Sequence, residues 1–87
     1  MDIDDLEIHD LKKSIPVISE LGLRLGYDAS EVDGYEDENR RDLTKREGTY
    51  AMLKAWCNKP DATRAKLVKI LRDSNLAKAA QKLEAGE

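Results

Sequence analysis

A single cysteine, Cys57, and a single histidine, His9, are the strongest candidates in the chain for a nucleophile and its base. Such a pair works only when the fold brings both groups together beside a third group that orients the base. A structural zinc site needs about four ligands, usually as closely spaced Cys or His pairs, and the chain contains no such pairs. The glycines form neither a phosphate-binding loop nor a dinucleotide fingerprint. The sequence therefore predicts no enzymatic activity, no metal and no cofactor.

The two parts of the chain carry charge of opposite sign. Residues 1–38 contain twelve acids and three bases, which gives −9, whereas residues 39–87 contain six acids and twelve bases, which gives +6. The net charge of −3 hides this difference. Segregated charge affects how a protein meets its partners rather than how it folds. The pattern favours an association function in which an acidic surface meets a basic one.

Length and composition are typical of one small helical domain, which we expect to occupy residues 1–87. A lone cysteine forms no internal disulfide, which favours a reducing compartment. No stretch approaches the roughly 20 apolar residues that span a bilayer, and the amino terminus is acidic where a secretory signal would be basic. We therefore expect a cytoplasmic protein without a membrane partner.

Capping residues and apolar spacing predict three helices in the first half of the chain. The first covers about residues 4–13 and the second about 15–25, with Pro16 in its first turn. A third, short helix follows the capping box that begins at Asp28. The apolar residues expected to face the core are a first stripe of Leu6, Leu11 and Ile15, then Val17, Ile18, Leu21 and Leu25 in the second helix, and Val32 and Tyr35 in the third.

A charged loop at residues 36–41 is expected to precede a fourth helix, the longest, that runs to about residue 58. Gly48 inside this helix indicates the close approach of a neighbouring element. Two further helices follow, with Ala65, Leu67, Val68, Ile70 and Leu71 and then Leu76, Ala79, Ala80 and Leu83 as their apolar residues. Leu43 joins Tyr50, Leu53 and Trp56 in one predicted stripe of the fourth helix. The predicted structural core is Leu21, Leu25, Val32, Tyr50, Leu53, Trp56, Leu67 and Leu71.

Several motifs in this order resemble the death domain family. LGLRLGYDASEV at residues 21–32 is similar to the family's leucine-glycine end of helix 2, polar cap and short helix 3. YAMLKAW at residues 50–56 is similar to its helix 4, PDATRAKL at residues 60–67 to its turn into helix 5, and Leu76-Ala77 to the start of its last helix. The resemblance covers about residues 5–84 and depends on the combination of motifs.

This resemblance implies an all-α fold of six antiparallel helices in a Greek-key arrangement. It also implies homotypic association with other death domains in intracellular apoptotic or innate immune signalling. The related caspase recruitment and death effector domains are an alternative, as is a small helical nucleic-acid-binding domain. The net acidic charge and the lack of a recognition-helix fingerprint disfavour nucleic acid as a partner.

Two sets of charged residues are the candidate contact surfaces for a partner or a salt-sensitive oligomer. Solvated surface charge is the ordinary alternative for both sets. Lys66, Lys69 and Arg72 form a further exposed stripe at helical spacing. The predicted acidic face comprises Asp28, Glu31, Glu36, Asp37 and Glu38, and the predicted basic face comprises Arg40, Arg41, Lys45, Arg46 and Lys54.

Overall fold

The computed structural model describes residues 3–85. In that range the chain folds into six α-helices and contains no β-strand. The predicted all-α fold with six helices is therefore confirmed. The helices are α1 (Asp5–Lys12), α2 (Ser19–Arg24), α3 (Ala29–Arg41), α4 (Glu47–Cys57), α5 (Arg64–Asp73) and α6 (Ala77–Ala85).

The main helix–helix contacts form a closed ring. α1 packs against α4 and α6, α5 packs against α6 and α2, and α3 packs against α2 and α4. The order around the ring is therefore α1, α6, α5, α2, α3, α4. α1 and α2 are three positions apart in this ring of six, so they lie on opposite sides of the bundle. The same is true of α3 and α6.

Local capping explains where three of the helices begin. Asp4 accepts a hydrogen bond from the Glu7 amide at the start of α1. Asp28 and Glu31 form the predicted reciprocal capping box of α3, and the Thr63 hydroxyl accepts from the Lys66 amide at the start of α5. These side chains satisfy amides that have no partner within the helix, so the first turn is stable in water.

The expected boundary between α3 and α4 is wrong. α3 is not short: it has 13 residues and includes the six-residue segment 36–41 that was expected to be a loop. Arg40 pairs with Asp37 at 2.5 Å and Arg41 with Glu38 at 3.4 Å. Ion pairs between residues three apart stabilise a helix, and basic side chains near its carboxyl end interact favourably with the helix dipole. α3 is therefore the longest of the six described helices.

α4 begins at Glu47, so the predicted start of this helix near residue 42 is also wrong. Leu43 was expected in its buried stripe but lies in the turn after α3 with 72% of its surface exposed. The Asp42 carboxylate accepts from the Thr44 amide and hydroxyl and from the Lys45 amide, which fixes this turn. A side chain that satisfies turn amides competes with helix formation.

The predicted extents of α1 and α2 need a further correction. α2 starts at Ser19, and Pro16 lies in the connection before it rather than in its first turn. Val17 in that connection is 61% exposed, and Leu6, expected to face the core, points outward from α1 with 79% exposure. Ile15 and Ile18, on either side of the exposed Pro16 and Val17, are buried.

The core lies inside the ring and draws on all six helices. Of the eight predicted core residues, Tyr50 is half-buried and packs against the core, and the other seven are buried. None of the described helices combines the length and the apolar character needed to cross a membrane. The core also contains Ile3, Ile8, Leu11, Ile15, Ile18, Met52, Cys57, Val68, Ala79, Ala80 and Leu83.

Candidate protein interaction surface

The five acids predicted to form one face lie on different sides of α3. Successive residues of a helix are about 100° apart, so residues two positions apart point in nearly opposite directions. Glu36 lines a groove between α3 and α2, whereas Glu38 lines a groove toward α1 and α4. Asp28 and Glu31 cap the helix and are partly committed to its amides. The structure therefore places Glu36 and Glu38 on separate surfaces.

The predicted basic face is largely committed to partners within the domain. Arg40 and Arg41 pair with acids of their own helix. Arg46 donates to the Ile15 carbonyl at 2.8 Å, and Lys54 contacts the Asp5 carboxylate at 2.8 Å. Of these five bases, Lys45 makes no ion pair with any residue in the range 3–85. The five bases therefore do not form one surface of unpaired positive charge.

A different surface stands out along the seam of α2 and α3. Two adjoining depressions share Glu36; one is lined by Val17 and Leu43 and the other by Leu23 and Asp33. We call these five residues the α2–α3 groove. Val17, Leu23 and Leu43 are 61%, 54% and 72% exposed. Single exposed apolar side chains are common, but several beside one groove indicate an interaction site.

Two acids, Asp33 and Glu36, and one base, Arg40, line the two depressions of the α2–α3 groove. Asp33 has no ion pair with any described residue, and Glu36 has only a long contact of 3.9 Å with Arg40. The groove thus offers apolar surface beside carboxylates that can accept from a partner. Sequence reasoning missed this site because Val17 and Leu43 were assigned to the core. Leu23 could have indicated an exposed apolar surface from the sequence alone, since it lies off the buried stripe of Leu21 and Leu25.

The groove between α1, α3 and α4 is lined by side chains that contact one another. His9 stacks on the Tyr50 ring with centroids 4.2 Å apart, and Lys12 lies 5.6 Å from the same ring. Asp5 accepts hydrogen bonds from the Lys54 ammonium and the Tyr50 hydroxyl. Those hydrogen bonds, led by the one from Lys54, lower the pKa of Asp5, and the bond to Asp5 raises the pKa of Tyr50. These contacts join α1 to α4.

The two candidate catalytic side chains occupy different places. His9 lies against Tyr50, whereas Cys57 is buried two helical turns further along α4. Two turns correspond to roughly 11 Å along the axis, which is too far for a nucleophile and its base to share a proton. Residues 3–85 also contain no group of three or more His, Cys, Asp or Glu side chains placed to hold a metal ion.

Comparison with known sequence families decides between the alternatives for this bundle. Residues 17–87, which include α2 to α6, match the family described as the death domain. The chain belongs to the death domain family. No significant match was found among curated proteins or among solved structures. Death domains are protein–protein interaction modules, so the exposed surfaces of this death domain, and above all its α2–α3 groove, are the places to look for function.

An ion pair that sequence reasoning missed ties three helices of this death domain together. Arg64, at the start of α5, is 8% exposed and donates to both carboxylate oxygens of Glu7 on α1, at 2.5 and 2.7 Å. The same guanidinium donates to the Leu83 carbonyl of α6 at 2.8 Å. No local pattern identifies such an arginine, because its partners lie 57 and 19 residues away.

Glu7→Gln is expected to lower the free energy of unfolding of the death domain by about 1–3 kcal/mol near pH 7, because it leaves a buried guanidinium without its counter-charge. The hydrogen bonds from Arg64 lower the pKa of Glu7 below its ordinary value of 4.5. A carboxyl with a lowered folded pKa stabilises the fold above its unfolded pKa, and this stability is lost as the pH falls through the folded pKa. The difference between wild type and variant should therefore shrink below about pH 4.5.

Urea titrations of both proteins at several pH values measure this difference. Glu20→Gln is the matched control, because Glu20 pairs with Arg24 at 3.1 Å on the exposed surface of α2. The control should cost about 0.5 kcal/mol or less. A Glu7→Gln effect as small as that of the control, or one that does not change with pH, would show that the pair does not stabilise the bundle.

Proposed function

We propose that this death domain binds other death domains, including its own copies, through reversible contacts in cytoplasmic signalling complexes of apoptosis or innate immunity. The α2–α3 groove is the observation that carries the proposal. It combines three exposed apolar side chains with the carboxylates of Asp33 and Glu36 on a protein of a family that associates homotypically. A partner surface with apolar and basic side chains would complement both features.

Charge on the rest of the bundle supports association between unlike surfaces. α3 contributes Asp33, Glu36 and Asp37, whereas the outer side of α5 contributes Lys66, Lys69 and Arg72. Helices α3 and α5 are not neighbours in the ring, because α2 lies between them. A particle with acidic and basic regions at different places attracts its partners in preferred orientations.

Only some residues of the predicted acidic and basic faces contribute to the proposed contacts. Glu36 lines the α2–α3 groove, Asp37 is exposed on α3, and Lys45 is exposed in the α3–α4 turn. Glu38 and Glu31 lie on the other side of α3 and would serve a separate contact. Arg40 and Arg41 could exchange their own acids for those of a partner, because their side chains are 68% and 78% exposed.

Such a module acts by raising the local concentration of the proteins that carry it. A death domain that gathers several copies of a larger protein brings their other domains together at an effective concentration set by the linkers. Enzymes carried by those proteins can then act on one another. No chemistry by the bundle itself is needed for this role.

Light scattering across protein concentration, at about 50 mM and about 500 mM salt, tests the proposal. The Debye length falls from about 14 Å to about 4 Å between these conditions, so an association assisted by charge should weaken. We expect the molar mass to rise with concentration in low salt and to return toward the monomer in high salt. A salt-independent monomer that also fails to bind any of a panel of purified death domains in low salt would contradict the proposed function.

A further inference from the structure

The turn between α3 and α4 exposes a hydroxyl group within a basic segment. Residues 42–46 connect the two helices, and Thr44 in the middle of this connection is exposed. Four bases lie within four residues of it, namely Arg40, Arg41, Lys45 and Arg46. An exposed hydroxyl preceded and followed by bases is the kind of charge pattern that a protein kinase with an acidic substrate groove selects.

The connection that carries Thr44 is held by bonds within itself. The Asp42 carboxylate accepts from the Thr44 hydroxyl at 2.6 Å and from the amides of Thr44 and Lys45. The Arg46 amide donates to the Asp42 carbonyl at 3.2 Å. Because these bonds are local, the connection can open and present its hydroxyl to an enzyme while the helices stay packed.

The other exposed serine and threonine side chains in the range 3–85 lack one or the other of these features. Ser19 and Ser30 lie within α2 and α3, where the backbone is held in helical form. Thr63 lies between helices, but Pro60 stands three residues before it, where Thr44 has an arginine. Position and charge together therefore single out Thr44.

We propose that a serine/threonine kinase that selects basic substrates phosphorylates Thr44, and that the phosphate opens the α3–α4 turn. The Thr44 hydroxyl oxygen forms a bond to the γ-phosphorus of ATP, the bond from that phosphorus to ADP breaks, and the hydroxyl proton passes to a base of the kinase. The modified oxygen then lacks the proton that Thr44 donates to Asp42.

Charge repulsion opens the turn once the phosphate is in place. A phosphothreonine carries about −1.5 to −2 charges near pH 7. Hydrogen bonds, led by the one from the Thr44 hydroxyl, lower the pKa of Asp42, so its carboxylate is ionised when the phosphate arrives. The two anions repel where a hydrogen bond held them together. Lys45 makes no ion pair with any described residue and supplies a counter-charge for the phosphate in the opened turn.

Opening of the turn changes the α2–α3 groove. Leu43 directly precedes Thr44 and lines the groove together with Val17. When the turn opens, Leu43 leaves its place beside Val17, and the groove loses part of its apolar surface. Phosphorylation therefore weakens binding of a partner at the groove. This last consequence rests on the proposed function, whereas the modification and the opening of the turn do not.

Mass spectrometry tests the modification. The purified domain is incubated with magnesium, ATP and a kinase that selects an arginine three residues before its acceptor. We expect one phosphate, on Thr44, and an initial rate that falls at least about tenfold in Arg41→Gln, because the arginine contact to the acidic groove is lost. Arg24→Gln is the control, since Arg24 is also exposed and pairs with an acid of its own helix. Equal rates in the two variants, no phosphate on Thr44, or as much phosphate on Thr63 would overturn the site.

Urea titration tests the opening of the turn. Phosphorylation should shift the unfolding midpoint of the wild type to lower urea. In Asp42→Asn the side chain keeps an oxygen acceptor but loses its charge, so the shift should be no more than about half as large. An absent shift in the wild type, or an equal shift in both proteins, would show that repulsion from Asp42 does not open the turn.

Light scattering at low salt, with binding to a panel of purified death domains, tests the effect on the groove. The phosphorylated protein should associate less than the unmodified one under the same conditions. Equal association of the two forms would overturn the proposed regulation. Failure of the proposed function would look different: the unmodified protein would bind neither its own copies nor another death domain, while mass spectrometry and urea titration still decided the site and the turn.

Discussion

Trp56→Ala is expected to lower the free energy of unfolding by about 3–5 kcal/mol, the usual cost of removing a large aromatic side chain from a packed core. Trp56 is 6% exposed and belongs to the same core cluster as Leu53 and Leu67. Loss of the indole removes apolar area from burial and leaves a cavity that the rigid bundle fills only partly. This loss is a large share of the stability of a domain of this size.

Urea unfolding followed by circular dichroism measures the effect without relying on tryptophan fluorescence. Leu43→Ala is the control, since the sequence places Leu43 and Trp56 in one stripe whereas the structure exposes Leu43. The control should change stability by less than about 0.5 kcal/mol. Near-native stability of Trp56→Ala, or an equally large loss in Leu43→Ala, would show that the α4 stripe is placed incorrectly.

Gly48→Ala is expected to lower the free energy of unfolding by about 3 kcal/mol, at the upper end of the usual cost of overpacking. A Cβ atom at position 48 would lie 1.8 Å from the Tyr35 carbonyl oxygen of α3. Because this neighbour is backbone, a rotamer change cannot relieve the clash. The two helices would have to separate, and that would strain the hydrogen bonds from Thr49 to Asn39 and from Asn39 to Thr49, at 2.9 and 2.8 Å.

Gly34→Ala provides the matched control, because a Cβ atom there has no neighbour within 4 Å and the position lies in the exposed part of α3. Alanine loses less backbone entropy than glycine on folding, so this control should raise stability by about 0.5–1 kcal/mol. The two variants therefore have opposite expected signs in the same urea titration. A stabilising Gly48→Ala would contradict the close approach of α3 and α4.

Asn39 shows why the extent of α3 was not predictable from local patterns. Residues 36–41 are charged or polar and contain no apolar residue that would mark a buried stripe. The helix continues there because Asn39 binds Thr49 of α4 and because the two arginines pair with acids one turn earlier. The first of these contacts depends on a residue in another helix, so only the packed bundle shows it.

The exposure and partners of surface residues were harder to predict than burial in the core, for a similar reason. Burial of Leu53 or Leu71 follows from regular spacing along one helix, whereas the exposure of Leu6 and Leu43 depends on which elements lie beside them. Charges raise the same difficulty. The sequence shows that Lys54 is basic, but only the fold shows that Asp5, 49 residues earlier, is its partner.

The sequence by itself determined the helical class, the capping box of α3, most of the buried stripes and the family, because these depend on residue type and on spacing within one helix. It also revealed the separation of acidic from basic residues along the chain. The tertiary structure alone decided the order of helices around the ring, the bidentate contact of Glu7 with Arg64 and the exposed groove of α2 and α3. Each of these depends on contacts between residues far apart in the chain, and the pattern of one segment carries no information about the neighbour that it will meet.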